Sequence, residues 1–440
     1  MLRVYAKISV LFIFFSIGLL SGCGGNYKMP WGNDMGMVTN DPNSIPNIGW
    51  QTPDQRQVLS DQNTALTQQQ PPAANPANPA APAPAATPPA PTQKESVSLL
   101  LPLSGKKAAL GQSMLKAAQM ALFDIGSANF ELVPRDTKGT PEGAMAAAQV
   151  AIQNHSDLIL GPVFSDELKA IKPVTSAAHI PVIAFTTDWT LGGDNTYIMG
   201  FLPFTQVVRV VKYAEEHGYS KLAVYAPQTE YSDVVIRTLQ KSNVPLAHVS
   251  RYSPKQLDLS ALVADFANTS KTDATPNHLD FDMLMLPIGS EGLKSLSNTL
   301  STNGIDQRRV KYIGTGLWDD STLMNDASLY GGWFSAPDPS LRADFEKRFQ
   351  DNYGSAPLRL SSLAYDATAL AAVLARSPAD SASPYSTAAL TNPRGFAGID
   401  GIFRFRNDGL SERGLAVLEI QANKPRVIDP APTAFANSGS

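Results

Sequence analysis

The sequence predicts an α/β protein whose folded part is two similar doubly wound lobes, preceded by a non-globular segment. Three observations carry that expectation. From residue 96 onward, apolar runs of strand length alternate with helix-length segments of 3.6-residue period, the pattern of a parallel sheet covered on both faces. The alternation comes in two consecutive series of about 100 residues each, out of 440 in the chain. The 34 prolines are unevenly spread, and residues 71–92 hold nine Pro and nine Ala in 22 positions. That composition has little to bury and favours extended polyproline II.

The chain opens with Arg3 and Lys7, followed by a mostly apolar run over 8–20. A short basic end before about 13 apolar residues is the pattern of a secretory signal, too short for a comfortable membrane span. Leu20-Ser21-Gly22-Cys23 follows and resembles the lipobox of bacterial lipoproteins, in which the cysteine carries the lipid. Cys23 is the only cysteine, so it makes no internal disulfide and no Cys-rich zinc site. The resemblance implies a mature protein starting at Cys23 and anchored by lipid, and Gly24 after it leans towards the outer membrane. Residues 24–95 show no helical or strand period. At about 3.1 Å per residue the 71–92 stretch spans roughly 70 Å, a tether for a head acting away from its membrane.

In the head, 97–103 reads as a buried strand and 108–123 as a helix with Leu110, Met114, Ala117, Ala118, Ala121 and Leu122 on one face. Strands follow at 130–133, 158–160 and 181–185. Between them lie helices at 141–153, with Pro in its first turn, and at 166–178, which Pro173 should kink or shorten. The second series places helices at 204–217, 231–241, 259–268 and 290–301, and strands at 221–225, 246–251, 281–286 and 310–314. Helices at 341–353 and 361–375 remain, with strands at 401–405 and 415–420 around the turn Asn407-Asp408-Gly409. That remainder is too small for a third domain, so it completes the first two and the chain crosses between lobes more than once.

Composition excludes several classes. Lys+Arg is 35 against Asp+Glu 39, a net charge of −4 that offers no basic excess for nucleic acid. His155, His179, His217, His248 and His278 are scattered beside loops and helix ends, which suits surface and capping roles better than metal binding. Ser104-Gly105-Lys106-Lys107 matches Ser-x-x-Lys formally, but no Lys-Thr-Gly accompanies it, and no His-Glu-x-x-His, Gly-x-Ser-x-Gly or Walker loop occurs. The pairs Glu215-Glu216 and Asp319-Asp320 read as solvated faces or caps. The expectation is a non-enzyme with no cofactor and no metal.

Several motifs then fall in order. They are Leu101-Pro102-Leu103-Ser104-Gly105 with Gly111; Asp136 with Gly139 and Pro141; Leu160-Gly161-Pro162 with Ser165; Ile180-Pro181-Val182-Ile183-Ala184; and Tyr365-Asp366-Ala367. Together they resemble the type I periplasmic binding proteins of the leucine/isoleucine/valine-binding class, over roughly residues 96–420. The resemblance implies two Rossmann-like lobes with multiple interlobe crossovers. The expected bounds are a signal peptide at 1–22, tether at 23–95, lobe 1 from 96–200 with about 320–395, lobe 2 from 201–319 with about 396–425, and a tail at 426–440. Ile313-Gly314-Thr315-Gly316-Leu317-Trp318, and the run from Gly395 through Gly401 to Arg413-Gly414-Leu415, are most similar to the lipoproteins called penicillin-binding protein activators.

Parallel sheets hold ligands at the carboxyl ends of their strands. Here those ends are Ser104 and Gly105, Ser165, Thr186 and Thr187, and Tyr231. By resemblance, Ser165 and Thr186 or Thr187 stand at carboxylate-holding positions, and Tyr231 where an aromatic closes over the ligand. The competing reading has these hydroxyls capping helices and satisfying turns. Amino-acid binders commonly pair the ligand ammonium with an acid just after the strand at 310–314. Here Gly316 stands there, and Asp319 lies three residues on. An unpaired ammonium in a dry cleft costs several kcal/mol, so an α-amino acid is disfavoured unless Asp319 reaches in. The resemblance implies a periplasmic lipoprotein that activates a penicillin-binding protein, a peptidoglycan synthase. The alternative is a solute-binding lipoprotein serving an ABC permease.

Overall fold

The structure is a computed structural model that describes residues 94–126, 129–242, 244–272, 275–376 and 383–435. The signal segment, Cys23 and the 71–92 tether lie outside the described residues. The first lobe is built on β1 (Glu95–Leu101), β2 (Phe130–Asp136), β3 (Leu158–Leu160), β4 (Val182–Ala184) and β5 (Thr196–Ile198). These form a parallel sheet in the order β2-β1-β3-β4-β5. Both of its faces are buried, which explains the unbroken apolar runs. Val97, Leu99 and Leu101 of β1 face α1 (Ala108–Ile125) and α9 (Ser361–Leu374), while Leu100 faces α2 (Pro141–Gln153) and α3 (Ser165–Ala177). Small residues let helices and sheet approach closely. Ala144, Ala147, Ala148 and Ala151 line the inner side of α2. Gly111 in α1 leaves only 2.1 Å between an added Cβ and the Pro102 carbonyl.

The second lobe carries β6 (Leu222–Pro227), β7 (Leu246–Tyr252), β10 (Met283–Met285), β11 (Lys311–Gly314), β12 (Trp333–Ala336), β16 (Ala416–Glu419) and β17 (Arg426–Asp429). Their order is β17-β16-β12-β11-β10-β6-β7, parallel except that β16 runs antiparallel to both of its neighbours, β12 and β17. The pleat again divides two cores. Ala223 and Tyr225 of β6 pack with α6 (Ser260–Thr269) and α7 (Ser290–Thr302); Leu222, Val224 and Ala226 pack with α4 (Pro203–Glu216) and α5 (Glu230–Gln240). A short hairpin, β8 (Lys271–Thr272) with β9 (Thr275–Leu279), lies beside this sheet in sequence.

The chain crosses between lobes three times: after β5, between β12 and α8 (Pro339–Tyr353), and between β15 (Ser411–Arg413) and β16. Multiple crossovers are as expected, but the bounds move. Residues 320–336 stay with lobe 2, because β12 pairs with β11 and β16. The small sheet β13 (Phe396–Gly398), β14 (Gly401–Phe405) and β15 belongs to lobe 1, where Phe403 and Phe405 are buried in the α1/α9 core. The stretch expected as a tail contains β17, an edge strand. Pro173 does not end α3, which runs unbroken through it. Pro173 is on the exposed side of the helix, where a carbonyl left without its amide partner is least costly.

Candidate functional site: the interlobe cleft

The cleft wall on lobe 1 forms where strands end. After β3 the chain turns at Gly161, whose φ of 95° and 2.2 Å clearance from the Leu100 carbonyl to an added Cβ admit only glycine. It then enters α3 at Ser165. The amide of Phe164 donates to Glu167 Oε2 at 3.1 Å, closing the first turn of the helix. Glu167 is buried, and burial raises its carboxyl above the usual carboxylate range. After β4, Thr186 accepts the Asp188 amide at 3.1 Å. Ser165, Thr186 and Thr187 are thereby brought together around a cavity of about 520 Å³, walled also by Phe164, Phe185 and Phe201. That volume suits a small molecule. Thr187 is exposed and Ser165 half-buried.

The other expected site residues are engaged elsewhere. Ser104 donates its hydroxyl to Asp136 Oδ2 at 2.5 Å, and Asp136 Oδ1 also accepts the amides of Leu103, Ser104 and Lys138. Partial burial would raise Asp136, but these donors hold it below the usual range. Gly105 starts the turn Gly105–Lys107 at φ 77°, leaving the cavity's edge to Lys107 and Gly139. The Ser-x-x-Lys match is therefore a turn with its serine facing an aspartate. Tyr231, in the first turn of α5, donates to the Thr315 hydroxyl at 2.6 Å, and burial pushes its phenol up to about 12. Gly316 donates its amide to Gln206 Oε1 at 2.7 Å, and Gln206 in turn donates to the Phe201 carbonyl. Among the described residues, no group of three or more His, Cys, Asp and Glu is arranged to hold a metal ion.

Asp319 is held in ion pairs. It accepts Arg342 Nη2 at 2.8 Å and Arg359 Nε at 3.1 Å. Arg359 also pairs with the wholly buried Asp400 at 3.0 Å, and Arg342 with Glu346 at 2.8 Å. Asp400 follows the strand Phe396–Gly398, whose last glycine makes room for Asp366. A Cβ on Gly398 would sit 2.4 Å from Asp366 Oδ2, and Asp366 Oδ1 accepts the Ile399 amide at 2.8 Å. Arg413, also buried, donates to the Met199 carbonyl at 2.9 Å. The Phe201 ring lies under two guanidinium groups, 4.4 Å from Arg359 and 4.9 Å from Arg413. Burial, then the neighbouring Asp400, pushes Asp366 up to about 7. Burial would raise Asp400 too, but Arg359, Arg342 and Arg413 together hold it low.

This cluster ties lobe 2, through Asp319, to α8, α9 and the β13–β15 sheet of lobe 1. Sequence reasoning singled out its motifs, Tyr365-Asp366-Ala367, the run from Gly395 to Gly401, and Arg413-Gly414, as marks of resemblance without seeing that they form one charged junction. The available signal was the string of buried-type glycines and small residues around isolated charges. Glu167 was legible as the glutamate three residues into the α3 cap.

A family model described as periplasmic binding protein matches residues 96–425. An uncharacterized protein of Rickettsia prowazekii (strain Madrid E) is 22% identical over 224 residues, 50% of this chain and 60% of that protein. The chain thus spans about 60% of the length of the curated relative it matches. Among solved structures, an ABC transporter substrate-binding protein from Sphaerobacter thermophilus has TM-score 0.63 and 16% identity, covering 78% of this chain and 98% of that one. A leucine-binding protein from Thermotoga maritima gives 0.56 and 18%, over 76% and 98%. A solute-binding protein from Rhodopseudomonas palustris in complex with 3,4-dihydroxybenzoic acid gives 0.57 and 13%, over 77% and 98%. At such identities the structural likeness speaks to the fold. With two crossover-linked α/β lobes and a family match over most of its length, the chain belongs to the periplasmic binding protein family, in the type I, leucine/isoleucine/valine-binding class.

Proposed function

We propose that the chain is a non-catalytic solute-binding lipoprotein of the periplasm, anchored through Cys23 and delivering a small polar ligand to an ABC permease. The observation that carries this reading is the cavity between Ser165, Thr186 and Thr187, with phenylalanines around it and the first amides of α3 at its wall. Hydroxyls and helix-terminal amides suit a carboxylate, and the rings suit an apolar body. The ligand is not an α-amino acid on this reading. Asp319 is committed to Arg342 and Arg359, and the Gly316 amide to Gln206. Titration calorimetry with leucine, isoleucine and valine, and in parallel with benzoate and hydroxybenzoates, tests it. A dissociation constant at or below about 1 μM for a branched amino acid, some 8 kcal/mol of binding, overturns the ligand assignment.

One observation favours the second reading, an activator of a penicillin-binding protein at the outer membrane. Ser104, Tyr231 and Asp319 all have internal partners, so few groups remain to grip a ligand. Activation needs only higher affinity for the active form of the synthase. A pull-down from crosslinked envelope separates the two by recovering a permease or a synthase.

A further inference from the structure

A second concavity, of about 690 Å³, runs between α4 and α5 of lobe 2 and shares no lining residue with the cleft. Its apolar lining is Phe204, Val207 and Val211 from α4 and Val234 and Leu239 from α5, with Val208 57% exposed along it. Trp189 of lobe 1 joins the lining, its ring edge-on to Phe204 at 6.4 Å. The charged lining is lopsided: Lys212, Arg237 and Lys241 against one acid, Glu215. Arg237 lies 5.8 Å from the centre of the Trp189 ring. Among the described residues neither Arg237 nor Lys241 has an ion pair, although the neighbouring Arg251 pairs with Asp233.

We infer that this trough binds an anionic amphiphile, a single alkyl chain ending in a carboxylate. The chain lies on the valines and Phe204, and its head pairs with Arg237 and Lys241. Charge complementarity selects the anion, because unpaired guanidinium and ammonium groups beside an apolar floor gain most from a partner that satisfies both. The volume falls in the range of small-molecule sites rather than the broad contact a protein partner needs. Since Trp189 and α4/α5 come from different lobes, an occupant touches both.

The test uses the full chain and 2-bromododecanoate, whose bromine, next to the carboxylate held at Arg237, lies beside the Trp189 ring and quenches it on contact. Saturable quenching is expected, with the saturable part absent from Trp189→Phe, which removes the background of the other tryptophans. Dodecanol should bind at least tenfold more weakly than dodecanoate. Arg237→Gln with Lys241→Gln should weaken dodecanoate at least tenfold while leaving dodecanol unchanged. Val208→Asp, at an exposed position that does not threaten folding, should weaken both. Leucine and benzoate should not compete. Absence of saturable quenching, quenching that persists in Trp189→Phe, equal affinity for dodecanol, or binding of an acidic amphipathic peptide in place of dodecanoate would each overturn the assignment.

Discussion

The two sides of the interlobe cleft use their polar residues in opposite ways. On lobe 1, the hydroxyls of Ser165 and Thr187 stand at the ends of β3 and β4 beside an open cavity. Towards lobe 2, the comparable groups turn inward: Tyr231 to Thr315, Gly316 to Gln206, and Asp319 to two arginines. The first arrangement leaves hydrogen-bonding capacity for something that arrives. The second uses it up internally, within lobe 2 for Tyr231 and Gly316 and across to lobe 1 for Asp319. A polar residue at a strand end is therefore not a ligand contact by position alone; its partner decides.

This contrast breaks most sharply at Asp400. Asp400→Ala leaves Arg359 and the buried Arg342 short of a counter-charge, and should cost about 3–5 kcal/mol, seen as a lower urea midpoint. Asp319→Ala should cost less, about 2–3 kcal/mol, because Arg342 retains Glu346 and Arg359 retains Asp400. It should also leave the affinity for any cleft ligand within about twofold, and a larger loss would return Asp319 to the binding site.

Protonation sharpens the comparison next. Asp366 is pushed up to about 7 in the folded chain from an ordinary 3.8. Between those values the folded state holds more protons than the unfolded one, so this group's contribution to stability falls as pH rises, by at most about 1.4 kcal/mol per unit. Asp366→Asn should flatten that part of the stability–pH curve, measured by denaturant unfolding from pH 4 to 8. Asp136 and Asp400, held low, act in the opposite sense and at lower pH, where acid removes their stabilising contribution. The smallest structural effect is expected on the open side. Ser165→Ala with Thr187→Ala should change stability by no more than about 0.5 kcal/mol, yet weaken a cleft ligand about tenfold by calorimetry.

Much of the fold was legible because it is written locally. Runs such as 97–101 and 222–226 are apolar on both faces, and Thr140 before Pro141 marks the start of α2 through its bond to the Gly143 amide. The short strands β5, β12, β13 and β15 were not read, because three or four residues carry no period and exist by virtue of their neighbours. The site was legible where hydroxyls follow strands and illegible where charges meet. Asp319 and Arg413 join one junction from opposite ends of the last third, and nothing in the spacing of either announces the other. Gly316 was legible as the lack of an acidic side chain after that strand, while the engagement of its amide by Gln206 required the fold.

The final strands carry a consequence for how the molecule is made. Phe403 and Phe405 close the core of lobe 1, and fewer than twenty residues later Val417 and Leu418 close that of lobe 2. A chain emerging N-terminus first can form the early strands of each lobe, but it can complete neither until residues 403–418 appear. Loop closure over such sequence distances is slow, and partly built sheets expose edges in the meantime. A nascent or truncated chain stopping near residue 400 would therefore carry two unfinished sheets at once, making synthesis of the segment around Leu410 (roughly ten residues either side) the step on which the maturation of both halves depends.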